Sequence, residues 1–165
     1  MRLNDLVKAA LIAAVYTVLS LLLAPISFAN IQFRVAECLG MLPLIYYPAI
    51  YGVSLGCFLT NLLGALSGSN PLGMVDAIVG TSATFIAAFL TYKFRNKKIK
   101  GIPVLSILMP VILNFIFIGA ELSFLYTPAT FVKGFIIFGT EVAVGELAAV
   151  ILGYYLCRIL KKRLP

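Results

Sequence analysis

Apolar residues run through this chain in blocks of about twenty, and most basic residues stand between the blocks rather than inside them. Crossing the hydrocarbon core of a bilayer takes a helix about 20 apolar residues, so the spacing dictates membrane-spanning helices before any motif is read. Composition agrees: 62% of the 165 residues are hydrophobic and 12% are charged, against roughly half and a quarter in soluble domains. A spanning barrel would alternate apolar and polar positions, whereas these runs are continuous. No stretch is left for a separate soluble domain, so one membrane unit over 1–165 is expected.

Four spans are plain: 6–24, 71–92, 101–120 and 138–160. The region 35–66 is long for one span and short for two. It contains Pro43 and Pro48 in LPLIYYPAIYG, and proline removes a backbone donor and clashes with the preceding turn. A tight reversal there gives a short span over 35–47 and a fuller one over 49–66. Cationic loops stay in the cytoplasm, which tests the count. The basic clusters are Arg2 with Lys8, the run KFRNKKIK at 93–100, and Arg158, Lys161, Lys162 and Arg163. Six spans put all three clusters on one side and leave only Arg34 and Lys133 outside; five spans separate the first from the others. The expected fold is therefore an all-α bundle of six transmembrane helices with both termini cytoplasmic. Arg2, Lys8 and a later Ser27-Phe28-Ala29 imitate a secretory signal, but 6–24 has the length of a span. The net charge of +7 then reports cytoplasmic loops rather than nucleic-acid binding.

The same topology sorts the acids. Glu37, Asp76, Glu121, Glu141 and Glu146 fall towards the outer side, at one expected depth, and only Asp5 is cytoplasmic. Carboxylates inside a membrane cost about 2.5–3.5 kcal/mol each at mid-depth on insertion scales, and they usually face a cavity. Helical spacing places Asn114 and Glu121 on one face, Ser54, Cys57 and Asn61 on another, and Asp76, Gly80 and Thr84 on a third. Arg34 and Glu37, three apart, can pair. Glu146, beside Gly145, is expected to point inward, and Glu141 to cap its helix. The result is an outward-facing polar pocket of Glu37, Asn61, Asp76, Asn114, Glu121 and Glu146, with Arg34 and Glu141 in support and aromatic walls. Such a pocket suits a flat ring with N–H donors or a positive charge. The segment 123–133, with Pro128, is a candidate outer gate by location.

In KAALIAAVYT, Ala9 with Ala13 and Ala10 with Ala14 make two small-xxx-small pairs, which let membrane helices approach closely; they are either internal packing or a docking face for another membrane protein. The chain has no histidine, so a histidine-built metal site is impossible, and Cys38, Cys57 and Cys157 are too scattered for a ligand set. It has no phosphate-loop motif and no H-E-x-x-H or G-x-S-x-G. No cofactor is implied, and any ATP hydrolysis would have to come from a partner.

Several blocks together resemble a known family: IQFRVAECLGMLP (31–43), GCFLTNLLG (56–64), DAIVGTSATFIAAFLTY (76–92), LNFIFIGAEL (113–122) and VGELAAVILGY (144–154). They are similar to the substrate-binding S-components of energy-coupling factor (ECF) transporters, of the queuosine-precursor (QueT) type, over nearly the whole chain. The resemblance implies a six-helix bundle in a prokaryotic cell membrane. It further implies a transmembrane coupling protein and two cytosolic ATPases as partners, and toppling of the S-component to release its cargo. The cargo implied is a 7-deazaguanine such as preQ1, preQ0 or queuine. Its guanine-like edge offers two N–H donors to a carboxylate, with Glu146 or Glu121 expected on that edge and Asp76 or Glu37 near the ring substituent. The alanine pairs match the docking signature of S-components. Alternatives are an S-component for another small cationic ring, such as a thiamine-like compound, a small membrane enzyme using a divalent metal, and a structural subunit without a ligand.

Overall fold

The computed structural model describes residues 2–23, 34–70 and 72–163, and among these the regular structure is helical. The long helices are α1 (Leu3–Leu22), α2 (Ala49–Leu66), α3 (Met74–Phe94), α4 (Val104–Tyr126) and α5 (Phe131–Arg163). Each is long and apolar enough to cross a membrane. Large side chains such as Leu11, Ile78, Ile116, Val144 and Ile159 are exposed on them, an apolar exterior that fits lipid and would be costly in water.

The expected second span is the main departure. Val35–Leu44 form a ten-residue 3-10 helix, called the short helix below. At about 2 Å of rise per residue it extends roughly 20 Å, less than a full crossing. It nevertheless lies within the bundle, packed against α5, α3, α1 and α2, and no residue from Arg34 to Tyr46 is exposed. A segment shielded by protein does not have to match the lipid thickness, and irregular backbone is tolerated there. Pro43, inside the helix, cannot donate a backbone hydrogen bond, which works against a regular α-helix at this point. On α5, a Cβ at Gly153 would run into the backbone carbonyl of Cys38, so only a glycine lets α5 and the short helix approach this closely.

The other boundaries shift for local reasons. α2 occupies the expected 49–66. α3 starts at Met74 after Gly73, whose φ of 63° is a conformation glycine adopts without cost. α4 runs past the expected end at 120 to Tyr126, because no breaker occurs before Thr127-Pro128, and proline disfavours helix in the residue preceding it. α5 begins at Phe131, not near 138, after a single 3-10 turn, Pro128–Thr130. The expected gate at 123–133 is thus a helical corner, tied by Ser123 Oγ donating to Phe131 O at 2.6 Å.

Two contacts show how the sequence fixes the packing. Ala9 and Ala13 of α1 are buried against Gly52 and Gly56 of α2, where added Cβ atoms would meet Ala9 O at 2.7 Å and Tyr16 Cβ at 2.7 Å. Pro110 lies inside α4 and leaves the carbonyl of Ser106 without its helical donor. Thr91 Oγ1 of α3 supplies one at 3.1 Å, and Ser106 Oγ returns a bond to Thr91 O at 2.9 Å.

The ends of the bundle differ in charge. Asp5 at the start of α1 accepts from Tyr46 Oη at 2.9 Å, Lys8 lies over the Tyr46 ring, and Tyr47 packs on Tyr92 near the end of α3 with centroids 4.8 Å apart. A cavity joins the exit of the short helix to the α3–α4 connection and the last turns of α5. One end therefore gathers Arg2, Lys8, the basic 93–100 run and Arg158 with Lys161.

Candidate functional site

Away from the basic end, acidic and amide side chains turn inward. Glu37, Asn61, Asp76, Asn114, Glu121 and Glu146 are each no more than 6% exposed, and Arg34 is 7% exposed. The sequence places them on five different segments, so their shared burial is a property of the packing.

Arg34 and Asp76 form the firmest part. Arg34 Nη2 donates to Asp76 Oδ2 at 2.7 Å, and Asn70 Nδ2 donates to the same oxygen at 2.9 Å. Asn61 Nδ2 donates to the Asp76 backbone carbonyl at 2.9 Å, and Asn70 Oδ1 accepts from Leu72 N at 3.0 Å. These bonds fasten the α2–α3 turn to the start of the short helix. Among the described residues the close ion pair of Arg34 is with Asp76, a longer-range partner than the expected Glu37. Glu37 instead accepts from Tyr16 Oη of α1 at 2.5 Å. The network also needs Gly80: a Cβ there would stand 2.5 Å from Asp76 Oδ1 and 2.9 Å from Asn61 Nδ2.

The other two carboxylates differ in kind. Among the described residues, neither oxygen of Glu121 has a hydrogen-bond partner, nor has Glu146 Oε1. Glu146 lies beside Asn114. Glu121 stands at an apolar cleft of about 510 Å³ between α3 and α4, with Phe117, Phe124 and Phe131 among its walls. Buried acceptors without donors are costly. Among the described residues one guanidinium accompanies four carboxylates here, an arrangement able to accept N–H groups or a cation.

The acids do not share one depth, as the sequence suggested. Asp76 is two residues from the start of α3 and Glu121 five from the end of α4, whereas Glu146 is fifteen residues into α5, about 22 Å at helical rise. They form a stepped column, with Glu146 deepest. Glu141 is half-buried and ten residues inside α5, so it does not cap the helix. Ala9 and Ala13 are taken up by α2, and only Ala10 and Ala14 face outward.

Sequence reasoning missed Tyr16 and Asn70. Tyr16 had a signal, since a tyrosine in mid-span needs a partner for its hydroxyl. Asn70 had a weaker one, the turn sequence Ser67-Gly68-Ser69-Asn70-Pro71.

All-helical architecture, a lipid-compatible exterior and a buried column of acids define an integral membrane protein with a polar interior. A family model described as "QueT transporter" matches residues 6–162, and the chain belongs to that family. A curated relative, the queuosine precursor transporter QueT of Lactococcus lactis subsp. cremoris (strain MG1363), is 34% identical over 84 residues, covering 50% of this chain and 46% of the relative. The chain thus aligns with about half the length of that relative. No solved structure matches it.

Proposed function

We propose that this protein is the substrate-binding S-component of an ECF-type importer, capturing a queuosine precursor of the 7-deazaguanine class, such as preQ1, preQ0 or queuine. The observation that carries the reading is the pair of buried carboxylates, Glu121 and Glu146, with acceptor atoms left without donors among the described residues. A deazaguanine edge presents a ring N–H beside an exocyclic amine, which one carboxylate accepts in parallel; the aminomethyl group of preQ1 adds a cation for a second. Glu146 with Asn114, at the bottom of the column, suits the ring edge, and Glu121 with its phenylalanines suits the substituent end. Glu37 and Asn61 complete the lining. Asp76 and Arg34 hold the surrounding walls, because Asp76 Oδ2 takes bonds from Arg34 and Asn70; Asp76 Oδ1, which has no donor among the described residues, is left as one further acceptor. Family membership and the name of the lactococcal relative support this choice of cargo.

Six crossings of the cell membrane, with both termini cytoplasmic, suit the gathering of basic residues at one end. The acid column would then open outward. A transmembrane coupling protein and two cytosolic ATPases would supply the energy, with Ala10 and Ala14 as the docking face. The reading is tested by uptake of labelled preQ1 into cells expressing the chain with and without such a module. Uptake that needs both is expected; uptake by the chain alone, or none with both, contradicts it.

A further inference from the structure

At the basic end a cavity of about 670 Å³ lies between the exit of the short helix, the α3–α4 connection and the last turns of α5. Arg95, Lys98, Arg158 and Lys161 line it, and among the described residues no carboxylate side chain does. Among the described residues none of these four pairs with an acid; the only ion pairs are Arg2–Asp5 and Arg34–Asp76. Four like charges within one cavity repel one another, and an anion seated among them relieves the repulsion.

The connection that carries two of these cations has a fixed backbone, and the Arg95 guanidinium is anchored. The connection doubles back through paired backbone bonds between Ile99 and Ile102, at 2.9 and 3.0 Å, with Gly101 at φ 83°. Arg95 Nη1 donates to Tyr92 O at 2.8 Å, and its guanidinium lies over the Tyr92 ring, 3.6 Å from the centroid. Arg158 and Lys161 are three apart on α5 and so share a face.

The cavity lining is also partly apolar, with Leu44, Ile45, Pro103 and Tyr154 among its walls. Exposed Ile159 follows Arg158 directly on α5, and exposed Tyr155 stands three residues before it. Cations beside an apolar wall at the rim of a helix bundle fit a molecule with a phosphate head and hydrocarbon tails, and basic pockets between spans do receive anionic lipid head groups. A free phosphate would use the cations and leave the apolar wall unexplained.

We infer that this cavity is a binding site for the phosphodiester head group of an anionic phospholipid. It is separate from the acid column and does not depend on the cargo. The test is native mass spectrometry of the delipidated full chain titrated with phosphatidylglycerol or phosphatidylcholine of the same acyl chains. Wild type is expected to retain at least tenfold more phosphatidylglycerol. Arg158→Gln/Lys161→Gln should lose that preference, Arg158→Lys/Lys161→Arg should keep it, and Lys133→Gln, an exposed cation in the first turn of α5, should not alter it. If the double glutamine variant does not fold by circular dichroism, Lys98→Gln on the exposed connection is read the same way, with a partial loss expected. Equal retention of the two lipids, an equal loss in Lys133→Gln, or displacement of the lipid by millimolar inorganic phosphate would overturn the assignment.

Discussion

Arg34 and Asp76, 42 residues apart in sequence, meet at 2.7 Å with side chains 8% and 0% exposed. Removing one partner of a buried pair strands the other charge and costs about 3–5 kcal/mol. Arg34→Ala is therefore expected to lower thermal stability sharply. Arg34→Ala/Asp76→Asn should recover part of the loss, because the stranded charge is gone. Melting of the purified variants by circular dichroism reads both, and a double variant no better than Arg34→Ala contradicts the assignment.

Glu121 and Glu146 carry the proposed recognition without holding the fold. Glu121→Gln and Glu146→Gln are each expected to weaken binding of a 7-deazaguanine by tenfold or more, equivalent to about 1.4 kcal/mol, with the melting temperature unchanged or raised. Equilibrium binding of labelled preQ1 is the measurement. Unaltered binding in both variants would remove these residues from the site.

Tyr16 joins α1 to the short helix through Glu37. Tyr16→Phe removes one donor to a buried carboxylate, a loss of about 1.5–3 kcal/mol for a bond to a charged group. The expected outcome is a lower melting temperature together with weaker ligand binding, since Glu37 loses its anchor. A stability change with no change in binding would place Glu37 outside the site.

The α3–α4 contact gives a test of additivity. Thr91→Val leaves the Ser106 carbonyl without a donor and is expected to cost about 1–3 kcal/mol. In a Pro110→Ala background, residue 110 can donate to that carbonyl again, so the same substitution should cost less. Equal costs in the two backgrounds, read by thermal melting, would show that Thr91 does not compensate for the proline.

The two alanine pairs separate by side. Ala9→Leu or Ala13→Leu drives a large side chain into α2 and should destabilise by about 1–3 kcal/mol. Ala10→Leu/Ala14→Leu should leave the fold and ligand binding intact while abolishing co-purification with the proposed coupling protein. Retained co-purification would move the docking face elsewhere.

What could be read from the sequence follows from what each signal reports. The long helices were legible because an apolar block of span length has few alternatives, and α2 matched at 49–66. The short helix was less so: Pro43 signalled an interruption, but the 3-10 form depends on neighbours that bury it on every side. α4 and α5 extend beyond the expected spans: Glu121 and Lys133 look like span ends, and a linear reading does not show which side chains a partner helix shelters. The inward residues were chosen by helical spacing, a local property, so Asn61, Asp76, Asn114, Glu121 and Glu146 could be picked from their own helices. Their partners could not. Arg34 lies three residues from Glu37 yet bonds to Asp76, and Tyr16 reaches Glu37 from another helix, because such pairs are set by how helices pack.

The most direct test of the central claim is isothermal titration of the purified full chain with preQ1, with guanine and thiamine as controls. Saturable one-to-one binding of preQ1, reduced tenfold or more by Glu146→Gln and absent for thiamine, is the expected result. A folded wild-type protein that binds no 7-deazaguanine, or that binds thiamine in its place, would contradict it.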